Sequence, residues 1–247
     1  MHNYVVNRPY LEDRVRHLAG PITVFREYVF RDVLPAFNNI DARASEIGNE
    51  YYNRIARSPA GEYEIDLADV AENANQESYD WWEMMTSLRQ SMLNLLAAGL
   101  FHLVEQQLSL LSRDGMFVGP AADTKLDAVK TWYQDELGIA FEALASWSVI
   151  DEMRLVANTV KHGEGSSAAN LRKLNPALFV DPGLTVYNEE GVPIPESWKE
   201  QRLAAPLSGD DFFVTEEILR SYAVSAEAFF REIAAALRNQ RKAAMSY

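Results

Sequence analysis

The chain has 247 residues, a formal net charge of −13 and no cysteine. An apolar fraction of 48% is enough for a packed core and argues against global disorder. The missing cysteines exclude disulfide scaffolds, Cys-based zinc sites and cysteine nucleophiles, and they fit a reducing cytoplasm. The acidic charge repels phosphate backbones at long range, which disfavours generic nucleic-acid binding but leaves room for a local basic site.

Nothing near the start of the chain has the pattern of a signal peptide, and the longest apolar run, about residues 93–104, is too short to span a bilayer. We therefore expect a cytoplasmic protein without membrane contact.

Helical patterns dominate the first half of the chain. Asp41 to Arg57 is predicted to be a helix, because apolar residues recur on one face. A proline-free pattern from about 75 to 113 predicts one long central helix, with a bend near Gly99 as an alternative to a straight one.

The second half is predicted to contain three more helical segments before it changes character. One helix runs to about Leu137, and the next spans about 139–162. Because so few residues lie between them, two alternatives stay open: two separate helices or one continuous helix. A short helix through Leu174 comes next. The last helix, 216–238, begins after Thr215, whose side chain suits a helix N-cap.

Prolines and glycines concentrate in residues 175–211, which predicts an irregular arm with a small hairpin at about 184–195. The sum is an all-α helical bundle with a long antiparallel helix pair, 75–113 and 139–162, and the irregular arm before the last helix. We expect one domain over residues 1–247, with a core at 75–166 and a closing helix at 215–240.

The end of the helix at 139–162 concentrates polar chemistry. At about 100° per residue, Arg154, Asn158, Lys161 and His162 share one face, opposite the apolar residues. Gly163 is predicted to be a left-handed C-cap. Cations in a last helical turn are common because the helix dipole favours them, so a purely structural role is the alternative. A basic cluster that adds Arg172 and Lys173 requires Glu164 to point away.

Other sequence signals for chemistry are weak. The chain has no glycine-rich phosphate loop, no H-E-x-x-H and no G-x-S-x-G pattern. With four histidines and no cysteine, a first-row metal site would need ligands from distant segments, so we expect neither a metal nor a cofactor. His102 is interpreted as a core or interface histidine. Trp81 and Trp82 are either base-stacking residues or, preferably, part of the core or of a dimer seam.

Two helical segments carry a family resemblance. The first spans Leu88-Arg89-Gln90-Ser91-Met92-Leu93 and Leu100-Phe101-His102-Leu103-Val104-Glu105, and the second ends in Ala157-Asn158-Thr159-Val160-Lys161-His162-Gly163-Glu164-Gly165. Together, over residues 80–166, they resemble the two-helix core of HEPN domains (higher eukaryotes and prokaryotes nucleotide-binding). In that family the second core helix carries an Arg, usually a polar residue, and a His a few residues later.

The resemblance implies a helical homodimer with His162 near the twofold axis. It also implies a metal-independent endoribonuclease of a toxin or phage-defence type. Under this hypothesis His162 is the acid or base, and Asn158 orients His162 or the substrate. The expected partners are RNA and an antitoxin or regulatory protein. This sequence departs from the pattern because Ala157 stands where the family has Arg, so Arg154 or Lys161 has to supply the positive charge.

The alternative is a catalytically silent helical module for dimerisation or regulation. An enzyme is expected to leave the polar face open, whereas a silent module is expected to bury it in ion pairs with Asp151 or Glu152.

Overall fold

The computed structural model describes residues 8–58, 66–113, 125–182, 202–207, 209 and 211–244. All regular structure in these ranges is helical, which confirms the all-α prediction. The hairpin expected at about 184–195 lies outside the described residues.

Eight α-helices make up the described architecture. They are α1 (Arg8–Leu18), α2 (Gly20–Tyr28), α3 (Ile40–Ala56), α4 (Leu67–Arg113), α5 (Leu126–Leu137), α6 (Trp147–His162), α7 (Ser166–Leu174) and α8 (Glu216–Ala244). A π-helical turn at Val29–Val33 and 3-10 turns at Leu34–Phe37, Phe141–Ala143 and Pro176–Phe179 lie between them.

The boundaries of the two long core helices differ from the prediction. α4 begins at Leu67, earlier than expected, and continues through Gly99 to Arg113. The helix expected from 139 begins only at Trp147. Gly138 adopts a left-handed conformation (φ 67°, ψ 30°) that ends α5. α5 and α6 are therefore separate helices.

α4 and α6 pack antiparallel, as predicted. Near the end of α4, the Tyr133 hydroxyl donates to the Leu108 carbonyl at 3.4 Å, and the Tyr133 ring contacts Phe141, which contacts Trp147 at the start of α6. The start of α6 thus lies beside the C-terminal end of α4.

The other end of α6 is tied to the middle of α4 through the segment that precedes α8. The Leu207 N–H donates to the Val160 carbonyl at 3.0 Å, and Gly209 lies against the backbone of Ser87 and Ser91. A Cβ on Gly209 would lie 2.6 Å from the Ser87 oxygen, so this close approach requires glycine.

α8 and the α1–α2 pair complete the bundle. Arg238 pairs with Glu12 at 2.7 Å near one end, and Arg26 pairs with Glu227 at 3.2 Å further along. From the first of these contacts to the second, residue numbers fall along α8 and rise from α1 to α2. The α1–α2 pair therefore runs antiparallel to α8. The cap predicted at Thr215 is confirmed, since its hydroxyl accepts from the Ile218 N–H at 3.2 Å.

A buried asparagine joins α4 to the segment before α8. Asn94 is 1% exposed, donates to the Phe212 carbonyl at 2.7 Å and accepts from the Val214 N–H at 3.1 Å. Gln90 donates to the Val214 carbonyl at 3.0 Å. These bonds satisfy the backbone groups of Phe212 and Val214, which lie outside the helices and have no partner in a helical backbone hydrogen-bond pattern.

α3 and the first half of α4 form an antiparallel helical hairpin, hereafter the α3–α4 hairpin. Trp82 Nε1 donates to Asp41 at 2.7 Å, the Ser78 hydroxyl donates to the Ala44 carbonyl at 2.8 Å, and Gly48 lies against Ala74. Trp82 is therefore used to hold α3 through its indole nitrogen.

Candidate functional site

The face singled out by the sequence lies at the C-terminal end of α6. Its opposite side is buried in the bundle core, with Met153 and Val156 fully buried and Val160 nearly so. The 3.6-residue period then directs Arg154, Asn158, Lys161 and His162 away from that core. We call these four residues the α6 polar face.

Gly163 ends α6 with a positive φ of 67° and a ψ of −137°. The positive φ agrees with the prediction, but this ψ lies outside the left-handed helical region, so the expected left-handed cap is wrong in detail. A Cβ here would lie 3.4 Å from the Pro206 nitrogen. Because Gly163 has no side chain, the chain can turn directly after His162 while it lies close to residues 205–207.

The members of the α6 polar face differ in their partners. Arg154 Nε donates to Asp151 at 2.8 Å, with side chains that are 35% and 41% exposed. Lys161 and His162 are exposed and Asn158 is half-buried. Within the described part of the chain, these three side chains have no hydrogen-bond or ion-pair partner. The end of the face at Lys161 and His162 is therefore exposed, whereas its Arg154 end is engaged in an ion pair with Asp151.

The wider basic cluster around His162, which required Glu164 to point away, is not assembled. Glu164 points towards Arg172, which donates to its two carboxylate oxygens at 3.1 and 3.0 Å. The Arg172 guanidinium, helped by the Leu203 N–H, holds the pKa of the Glu164 carboxyl below its usual range. Arg172 also lies 4.3 Å over the Phe179 ring, so it fixes the chain after α7 rather than adding free charge.

Ala157, at the position where the resembled family has Arg, faces the core. Its side chain is 0% exposed and belongs to the central apolar cluster. The two neighbouring positions on the exposed side are Arg154 and Asn158. An arginine at 157 has no route to the α6 polar face without disturbing the core.

A second polar cluster, which sequence reasoning missed, lies behind the site. Glu152 accepts from the Tyr222 hydroxyl at 2.7 Å and from Asn175 at 2.9 Å, joining α6 to α8 and to the end of α7. Burial raises the pKa of Tyr222, and the bond to Glu152 adds to this effect. Its members are about 23 and 70 residues apart, so no local sequence pattern announces the contact.

His102 is part of neither cluster. It forms a 2.8 Å contact with Glu105 one turn along α4 and is 39% exposed. His102 is thus partly exposed with a ring nitrogen bonded to Glu105, and its interpretation as a core or interface histidine stays a prediction. Among the described residues, no three His, Asp or Glu side chains are grouped so as to hold a metal ion.

Comparisons with protein-family models, with curated proteins and with solved structures find no match for this chain. Within the described ranges, no helix is both long enough and apolar enough to cross a membrane.

Proposed function

We propose that the α6 polar face binds and cleaves RNA, and that the protein is a metal-independent endoribonuclease of the HEPN type acting through His162. The observation that supports this is the exposed end of that face. His162, Lys161 and Asn158 are accessible on one side of a helix end and carry no partner among the described residues. A buried structural helix end would instead need those groups to be paired.

The chemistry requires only proton transfer and positive charge. His162 takes the proton from a ribose 2′-hydroxyl and the 2′-oxygen bonds to the adjacent phosphorus. The bond from phosphorus to the 5′-oxygen of the next nucleotide breaks, this oxygen accepts a proton from water, and the protonated His162 returns its proton to the solvent. This step yields a 2′,3′-cyclic phosphate and a free 5′-hydroxyl, and it consumes no cofactor. Lys161 supplies charge to the phosphate as it becomes pentavalent, and Asn158 orients His162 or the ribose.

Arg154 is suited to assist without losing its present partner. Only its Nε is engaged by Asp151, and the two terminal amino groups have no hydrogen-bond partner within the described ranges. A phosphate oxygen can therefore bind to the terminal amino groups while the Asp151 pair holds the guanidinium in place. This gives Arg154 the role that Ala157 cannot fill.

The second candidate is a catalytically silent interaction module, with an antitoxin or another regulatory protein as its partner. Two observations favour it: Ala157 is buried, and Arg154 and Arg172 are both held by acidic side chains. In this reading the α6 polar face is a docking surface and the chain does not cleave RNA.

A matched pair of histidine substitutions tests the proposal. His162→Ala should reduce cleavage of single-stranded RNA by about 100-fold or more, since it removes the general base. His17→Ala is the control, because His17 is also exposed and also lies in a last helical turn, that of α1. Arg154→Ala should lower activity less, and cleavage should continue in EDTA.

Cleavage products and growth assays separate the two candidates. A cyclic phosphate end that depends on His162 supports the enzyme. If wild type and His162→Ala leave RNA equally intact, and expression of neither arrests growth, the ribonuclease proposal fails and the interaction module remains. Restoring the family's arginine by Ala157→Arg is a poor test, because a buried charge at this position would destabilise the core.

A further inference from the structure

The outer face of α4 carries a line of apolar residues that the bundle leaves exposed or only partly covered. This α4 stripe consists of Trp81, Met84, Leu88, Met92, Leu95, Gly99, Leu103 and Leu110. Met84 is 63% exposed, and Leu88, Leu95 and Leu110 are each more than 40% exposed. Their spacing of three, four or seven residues places them on one side of the helix.

The stripe lies on the opposite side of α4 from the core. Leu93, Leu100, Val104 and Leu111 are nearly or fully buried, and at about 100° per residue they lie across the helix from Leu95 and Leu88. α3 covers a neighbouring side through Ala74, Ser78 and Trp82. Exposed apolar surface of this extent on one helix indicates an interaction site.

We propose that a second copy of this chain binds along the α4 stripe, forming an antiparallel twofold dimer whose axis passes beside Leu95 and Leu96. The exposed residues of α4 form this contact, and it does not depend on RNA cleavage at His162.

Charge supports this occupant and sets the register. Glu77 and Arg113 are both exposed at opposite ends of the stripe, and each lies 18 residues from Leu95. Neither has an ion-pair partner among the described residues. In an antiparallel pair centred at Leu95, Glu77 of one copy lies beside the arginine at 113 of the other, and symmetry provides this contact twice. A parallel pairing would place like charges together.

Shape supports the same register. With the axis between Leu95 and Leu96, Met92 faces Gly99 of the other copy, where an added Cβ meets nothing within 4 Å in the single chain. A long, flexible side chain then enters the space left by a glycine. Trp81 faces Leu110, and Leu88 faces Leu103, in the same register. The apolar pairs are centred between Leu95 and Leu96 and the Glu77–Arg113 pair at Leu95, about 0.75 Å apart along the helix, so one placement serves both.

The expected strength follows from the size of the surface. From Trp81 to Leu110 the helix extends about 44 Å, and with a helix diameter of about 10 Å the flat footprint is about 440 Å² per copy. Stable interfaces bury about 800 Å² per partner, so the contact lies at the weak end. We expect a dimer that dissociates with dilution in the micromolar range.

The dimer differs from the one that the family resemblance implies. His162 ends α6 near the level of Ser87 and Ser91 of α4, through the contacts of Leu207 and Gly209. Because α6 packs on the core side of α4 and the stripe lies on the opposite side, an axis at the stripe leaves each His162 away from it. The two arrangements are distinguished by where a cross-link forms.

Sedimentation equilibrium of the full chain tests the surface. Gly99→Gln places a bulky polar side chain at the contact, and it should weaken the dimer by at least about tenfold, which is about 1.4 kcal/mol. Thr86→Gln is the matched control, because Thr86 is exposed on the other side of the same helix. A chain that stays monomeric throughout the micromolar range, or a dimer that tolerates Gly99→Gln, overturns the proposal.

A charge exchange tests the register. Glu77→Arg and Arg113→Glu should each weaken the dimer, because each brings like charges together, and the double variant should recover most of the loss. A double variant no better than the single ones rules out the antiparallel pairing.

The cysteine-free chain offers a third readout. Leu95→Cys should give a disulfide-linked dimer under mild oxidation, whereas Thr86→Cys and His162→Cys should not. Cross-linking at 162 with none at 95 places the axis at His162 instead and refutes the α4 stripe.

Discussion

The two halves of α4 form one continuous helix but are stabilised in different ways. Of its described buried residues, Val70 and Ala74 are the two that precede residue 93, and twelve lie from Leu93 onward. The second half is buried in the bundle along one side, whereas the first half packs chiefly on α3. A helix is therefore not a unit of stability by itself: burial decides which part unfolds with the whole protein and which part opens locally.

The largest expected effect contrasts the aromatic core with the α3–α4 hairpin. Phe229 is fully buried and contacts Phe141 and Trp147, so Phe229→Ala should lower the free energy of unfolding by about 3–5 kcal/mol. Tyr79→Ala removes a side chain that is 55% exposed and should change it by less than about 1 kcal/mol. Urea unfolding followed by circular dichroism measures both. Equal losses would show that the hairpin and the bundle are one cooperative core.

The next effect concerns the polar junction at the boundary between the two halves. Asn94→Leu keeps the approximate volume but leaves the Phe212 carbonyl and the Val214 N–H without their buried partner, which should cost about 1–3 kcal/mol. Hydrogen exchange should become faster at Val214. Asn75→Leu, at an exposed position of the hairpin half, is the control and should leave that exchange unchanged. Unchanged protection at Val214 in Asn94→Leu would contradict the junction's role.

Alanine substitutions at Gly48 and Gly99 should separate a change confined to the α3–α4 hairpin from a change elsewhere in the bundle. A Cβ on Gly48 would lie 2.9 Å from the Ala74 carbonyl oxygen, so Gly48→Ala should push α3 off α4 at a cost of about 1–3 kcal/mol. Faster exchange should be confined to the hairpin. Gly99→Ala, which meets open space, should instead stabilise α4 by about 0.5–1 kcal/mol when measured on the monomer. Destabilisation of α6 or α8 by Gly48→Ala would contradict the separation.

The smallest effect is a pH dependence near the candidate site. The Glu164 pKa is lowered in the folded chain, so the Arg172 pair stabilises above the unfolded pKa of about 4.3 and is lost as the pH falls through the folded value. Glu164→Gln should therefore reduce stability at neutral pH by up to about 1 kcal/mol, and the difference from wild type should shrink in acid. A difference that stays constant between neutral and acid pH would show that the ion pair contributes nothing.

The sequence by itself determined the helical class, the position of α3, α7 and α8, and the polar face of α6. Periodicity, caps and helix-ending glycines are local properties, and they suffice for such elements: Thr215 caps α8 as expected, and Gly138 ends α5. The same local signals gave the wrong start for α6, because the stretch after Gly138 is apolar enough to resemble a helix. That start is fixed by Glu232, which binds the Ser146 N–H and hydroxyl from α8.

Only the tertiary structure decided which polar and apolar groups remain free. The sequence allows Arg172 to join a basic cluster around His162 if Glu164 points away. In the folded chain Glu164 forms an ion pair with Arg172, so this cluster does not form. The apolar residues of α4 surround most of the helix in sequence, and the bundle covers one side and leaves the α4 stripe exposed. Both outcomes depend on contacts between residues far apart in the chain, which local patterns do not encode.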